Sequence, residues 1–210
     1  MEILEVVKAI TEYGITVVLS AIVIYTVCRL IKMQFDKLAD NNSKKAHDKA
    51  LELRSQIDEE VYLLIDEFIS RHEGTRIQVI EFTNTVTSVA YLPFRYMSCT
   101  YEVVGYGHRP KANYIDKLST SLFSPFLIRL GQSTHLEVTE ESSKQYSGAL
   151  QDLFDQIHCK RMISVMLKSS KGKCIGCVCL YKETDSTPSD APDLITLGHE
   201  LSALLGVLDK

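Results

Sequence analysis

Lys168-Ser169-Ser170-Lys171-Gly172-Lys173-Cys174-Ile175-Gly176-Cys177-Val178-Cys179-Leu180 is the stretch on which the fold turns. Ser-Ser-Lys-Gly between two apolar runs is hairpin chemistry, because glycine reaches the positive φ that a tight turn needs. The flanks, Arg161–Lys168 (RMISVMLK) and Lys173–Tyr181 (KCIGCVCLY), read as its paired strands. Further on, Asp190–Leu208 has amphipathic spacing and predicts a closing helix, with Asp190 as its cap.

Upstream of the hairpin, Ser147–Ile157 carries Leu150, Leu153, Phe154 and Ile157 at helical spacing, and Thr134–Val138 reads as a short strand. Tyr114–Leu130 predicts a helix through Leu118, Leu122, Phe126, Ile128 and Leu130, kinked at Pro125. Arg76–Phe82 alternates apolar and polar residues, and Tyr96–Val104 is β-branched and aromatic, so both read as strands. Asn84–Pro93 between them is loop-like. The order of helix, strand, strand, helix, strand, helix, strand, strand, helix predicts an α+β domain, an antiparallel sheet flanked by helices.

The N-terminal part differs. Tyr13–Cys28 (YGITVVLSAIVIYTVC) has no charge, and Arg29 can snorkel so that Leu30 and Ile31 extend the run. About 16 uncharged residues make roughly 24 Å of helix, and the flanking apolar residues bring it toward membrane thickness. The acidic N-terminus and the absence of a small-residue cleavage site argue against a signal peptide. A transmembrane helix is therefore expected over 13–31. Arg29, Lys32, Lys37, Lys44, Lys45 and Lys49 follow it, against Lys8 alone before it. That asymmetry predicts a short extracytoplasmic tail, 1–12, and a cytoplasmic C-terminal domain. Residues 32–55 form the expected helical connector and 56–210 the soluble domain. An apolar stripe, Ala46, Ala50, Leu53, Ile57, Val61, Leu64, Ile65 and Phe68, fits either a helix packed on the domain or a dimeric coiled coil. The partners expected are the membrane through Tyr13–Ile31, a small-molecule ligand, and a second copy through the connector.

The soluble part has five cysteines, Cys99, Cys159, Cys174, Cys177 and Cys179. An odd count fits reduced, buried thiols better than a disulfide framework. On a strand Cys177 and Cys179 share a face and Cys174 takes the other, so no metal site is expected. His158-Cys159 reads as a strand-end feature. The net charge of −4 provides no basic face for nucleic acid. Neither a phosphate loop nor a nucleophile elbow is present. Gly105-Tyr106-Gly107-His108-Arg109-Pro110 is either a simple turn or a grip for an anion.

The element order, the Gly172 turn followed by Gly176-x-hydrophobic-x-hydrophobic, and the closing helix resemble a GAF domain, a relative of the PAS fold. Glu81-Phe82-Thr83-Asn84, Tyr91-Leu92-Pro93-Phe94 and Ser98-x-x-Tyr101-Glu102 further resemble small phage-encoded GAF-like proteins with one N-terminal span. The chain departs from that pattern, with Thr83-Asn84-Thr85 where His-Asn-Gly is expected and no glycine just before Leu92. The resemblance implies no known catalytic residues, and no cofactor is expected. It implies a cavity between sheet and loops, with Asn84, Tyr91, Phe94, Ser98, Tyr101, Glu102, His108 and Arg109 as the candidate ligand-binding residues; core packing is the alternative role for the aromatic ones. With no output domain read after Lys210, the function expected is a membrane-anchored, non-enzymatic binding or sensor module. The alternative is a phage membrane protein in lysis or its timing.

Overall fold

The computed structural model describes residues 11, 25–26, 29–34, 48–72, 76–83, 95–184 and 190–208. The chain divides into two units, Met1–Leu53 and Arg54–Lys210. In the first, residues 25–26, 29–34 and 48–53 are helical. No described helix is long and apolar enough to cross a membrane. Most of the span expected over 13–31 lies outside the described residues.

The second unit opens with helix α1, residues 54–71 of a helical run that starts by residue 48. Ile57, Val61, Ile65 and Phe68 are buried, so this half of the predicted stripe packs on the domain. A sheet of six strands follows: β1 (Arg76–Thr83), β2 (Tyr96–Val104), β3 (Leu118–Ser119), β4 (Leu136–Thr139), β5 (Arg161–Lys168) and β6 (Cys174–Lys182). Their order across the sheet is β3-β2-β1-β6-β5-β4, and every pairing is antiparallel.

Two layers cover the sheet. On one face α1 and α5 (Ala191–Leu205) pack on Ile77, Val79, Tyr101, Ile163, Val165, Leu167, Val178 and Leu180. On the other, α2 (Ser124–Gly131) and α4 (Gly148–Ile157) bring Phe126, Leu130, Leu150 and Phe154 onto Ile80, Met97, Met162, Cys177, Cys179 and Tyr181. The central strands β5 and β6 are buried on both faces, which accounts for their near-continuous apolar sequence.

The hairpin turn forms as expected. Gly172 has φ +76°, and its N–H donates to Ser169 O at 2.8 Å. Gly176 is needed for a different reason: a Cβ there would lie 2.3 Å from Ile80 O on the neighbouring strand. Ser147 caps α4 by accepting from Leu150 N at 3.0 Å, and His158 ends that helix in the left-handed region at φ 55°. Thr139 and Ser142 form a capping box for the short α3, Glu140–Ser143.

The structure corrects two expectations. Tyr114–Leu130 is not one helix. A 3-10 turn (Ala112–Ile115) leads to left-handed Lys117 (φ 50°), then β3, a second 3-10 turn (Thr120–Phe123) and α2. Pro125 sits in the first turn of α2, where its missing N–H costs nothing, so it starts a helix instead of kinking one. The second correction concerns Cys174. A bulge opposite Leu167 and Lys168 re-aims it, and it packs with Cys177 and Cys179 in one core.

Candidate functional site

Adjacent strand residues point to opposite faces, and β2 uses this at Tyr101 and Glu102. The site described here is the pair of polar clusters that these two residues organise.

Glu102 faces the α2/α4 layer, with its side chain 4% exposed. Gln78 Nε2 donates to its Oε1 at 2.8 Å, and Arg76 Nε pairs with the same oxygen at 2.9 Å. Its Oε2 accepts from the backbone N–H groups of Lys111 (2.7 Å) and Ala112 (2.8 Å). Arg76 Nη2 also donates to Arg109 O at 2.8 Å. A buried carboxylate is tolerable only with such a set of donors, and here the donors belong to β1 and to the strip that follows β2. Glu102 therefore pins residues 109–112 to the sheet.

Tyr101 faces α1. Its hydroxyl donates to Asp58 Oδ1 and accepts from Arg54 Nη2 at 2.7 Å. Arg54 grips Glu81 through Nη1 and Nη2, each at 3.1 Å, and Asp58 through Nε at 2.7 Å. The Tyr62 ring meets the Tyr101 ring edge-on at 5.2 Å. Burial, then the bond to Asp58, pushes the Tyr101 hydroxyl pKa well above its ordinary value, so it stays protonated and keeps donating. Burial alone would lower the Arg54 pKa; the Glu81 contacts more than offset it and hold the guanidinium charged. The first turns of α1 within the domain are thus fastened to β1 and β2.

Beside the Glu102 strip lies a small depression of about 170 Å³ between residues 114–123 and α4. Tyr114, Leu122, Phe123, Asp152, Leu153 and Gln156 contribute to its walls. Leu122 and Tyr114 are exposed, and Lys111 Nζ stands 5.6 Å over the Tyr114 ring. Helical periodicity hid these wall residues, because Leu118 and Leu122 read as one buried stripe.

Of the eight candidate residues, the five that are described do not converge on one pocket. Arg76 links Glu102 to the backbone carbonyl of Arg109, while the Arg109 residue is exposed. His108 Nδ1 lies 3.2 Å from Glu183 Oε1, past the end of β2. Ser98, near the other end of that strand, accepts from Lys117 N at 2.9 Å and shapes the left-handed turn. Tyr101 occupies the opposite face of the sheet from Glu102, because residues one apart on a strand cannot line one pocket. Asn84, Tyr91 and Phe94 lie outside the described residues.

The five described cysteines are free thiols. Cys177 and Cys179 are buried with their sulfurs 3.9 Å apart, and Ser164 Oγ donates to Cys179 Sγ at 3.2 Å. The Cys177 thiol, donating to Cys179 and buried, is pushed well up; burial does the same to Cys99. Cys159 Sγ donates to Arg161 O at 2.9 Å. Among the described residues no group of His, Cys, Asp and Glu is arranged to hold a metal ion.

No family model matches the chain, and no curated protein is similar to it in sequence. Solved structures are similar in fold. A far-red cyanobacteriochrome photoreceptor aligns with a TM-score of 0.56 at 14% identity, over 81% of this chain and 98% of its own. The PixJ GAF domain of Thermosynechococcus elongatus, in its blue-light-absorbing form, gives 0.56 at 13% identity over 76% and 89%. A GAF domain/HD domain protein from Geobacter sulfurreducens gives 0.52 at 15% identity over 73% and 92%. With the antiparallel sheet and its two helical layers, these likenesses show that the chain carries a GAF-like α+β fold.

Proposed function

We propose that this protein is a membrane-anchored, non-enzymatic sensor module in which an event on the α2/α4 side of the sheet is passed through β2 to α1. The observation that carries it is the adjacency of Tyr101 and Glu102. One residue holds the 109–112 strip and the next holds α1, so a shift of the strip large enough to disturb Glu102 also strains the Tyr101 contacts. The depression beside the strip suits a small ligand with an apolar part for Leu122 and Phe123 and a polar part for Asp152 or Gln156. The GAF-like fold supports a sensory role, since the similar structures include photoreceptor domains. The uncharged run Tyr13–Cys28 and the basic residues after it support anchoring with the domain in the cytoplasm. The lysis alternative rests on the sequence of that run and on the Glu81–Glu102 motifs alone.

Native mass spectrometry of the full-length protein tests the ligand. A small-molecule adduct is expected, and Leu122→Trp, which fills the depression from an exposed position, removes it. An adduct that survives Leu122→Trp would place the ligand elsewhere. A clean apo mass from the native host would contradict the ligand half of the proposal.

A further inference from the structure

The outer surface of α1 and α5 combines exposed apolar side chains with carboxylates. Leu63 is 65% exposed on α1, and Tyr62, whose ring meets Tyr101 edge-on, is still 45% exposed. Leu63 stands between two apolar grooves. One, of about 470 Å³, runs over Leu64, Ala203 and Leu204, with Glu60 and Glu200 on its rim. The other, of about 410 Å³, runs past Tyr62 to Val103, with Glu59 and Asp66 on its rim. The rim is acidic on both sides, and α5 contains no Lys or Arg. Both cations of α1 are already paired with carboxylates, Arg54 with Asp58 and Glu81 and Arg71 with Glu67.

An exposed leucine flanked by apolar grooves is a docking feature, and the rim charge selects its occupant. A second copy about a two-fold axis would bring a second set of Glu59, Glu60, Asp66 and Glu200 into one interface, where like charges repel. An anionic lipid surface would be repelled in the same way. A helix with leucine-like residues along one stripe and lysines or arginines beside it satisfies both groove and rim. We propose that the α1/α5 surface binds a basic amphipathic helix of a partner protein. The 15 residues of α5 offer a track of about 22 Å, four turns of such a helix. The site is distinct from the depression near Leu122, so failure of ligand binding there leaves this proposal standing.

The test uses the full-length protein and two labelled peptides of about 18 residues, one of leucine and lysine and one of leucine and glutamate with the same apolar stripe. Fluorescence anisotropy reads binding against a blank of the same buffer and any detergent. The lysine peptide is expected to bind and the glutamate peptide not to. Leu63→Ser and Glu60→Lys/Glu200→Lys are each expected to weaken binding by about tenfold or more, with melting temperatures checked alongside. Tyr106→Ser, on the far exposed turn, is expected to leave it unchanged. Equal binding by Leu63→Ser and wild type overturns the proposal. So does equal binding of both peptides, or a Leu63-dependent self-association that leaves the lysine peptide unbound.

Discussion

At the residue scale Arg54, Tyr101 and Glu102 fasten α1 and the 109–112 strip to the sheet. Glu102→Ala leaves Arg76 and Gln78 without their carboxylate and frees two backbone N–H groups. We expect it to cost about 3 kcal/mol in denaturant unfolding, with faster amide exchange at Lys111 and Ala112. Arg54 is one-third exposed, so Arg54→Met is expected to cost only about 1 kcal/mol after solvent screening. A double-mutant cycle with Glu81→Gln should still show coupling, whereas additive costs would mean the ion pair is idle. Tyr101 provides a pH test. Its folded pKa is raised above the unfolded value of about 10. The contribution is therefore complete below pH about 10 and is lost as pH rises through the folded value. Wild type should lose stability in that alkaline range, and Tyr101→Phe should lose less of it. Equal alkaline slopes would contradict the assignment.

At the element scale, the β5–β6 hairpin was legible because each signal in it has one physical meaning. Gly172 supplies the positive φ, and apolar runs of strand length surround it. Gly176 adds a constraint that sequence alone could not assign, the approach of Ile80 O. Gly176→Ala is expected to cost on the order of 3 kcal/mol, measured by urea unfolding; a neutral result would mean β1 and β6 separate easily. Ser147→Ala should cost about 1 kcal/mol through loss of the α4 cap, read in the same unfolding measurement. Residues 114–130 were not legible. Their apolar spacing is helical, and the interruption comes from Lys117 in a left-handed conformation that no glycine announces. The bulge that turns Cys174 into the core of Cys177 and Cys179 is equally silent, because a bulge depends on pairing partners far away in sequence.

At the scale of the whole molecule, element order was readable apart from β3 and the 3-10 turns around it, and with it an antiparallel α+β sheet flanked by helices. The assignment of side chains to faces was readable only in part. Tyr101 and Glu102 were expected in one cavity, yet they serve two layers. Strand alternation requires this. Separation of the two residues across the sheet is also what makes β2 a mechanical link. The exposed face of α1 and α5 was hidden for a related reason. The helical stripe includes Leu64 and leaves out Leu63, and the packed structure shows what periodicity does not, that grooves flank the exposed Leu63.

The link through β2 is tested most directly by hydrogen exchange of the full-length protein carrying Glu102→Ala, followed across α1. Faster exchange is predicted in the first turns of α1 within the domain, around Arg54–Tyr62, as well as in the 109–112 strip, while α4 keeps its wild-type protection. If the strip loosens and α1 exchanges as in the wild type, β2 does not couple the two layers and the proposed signalling route is wrong.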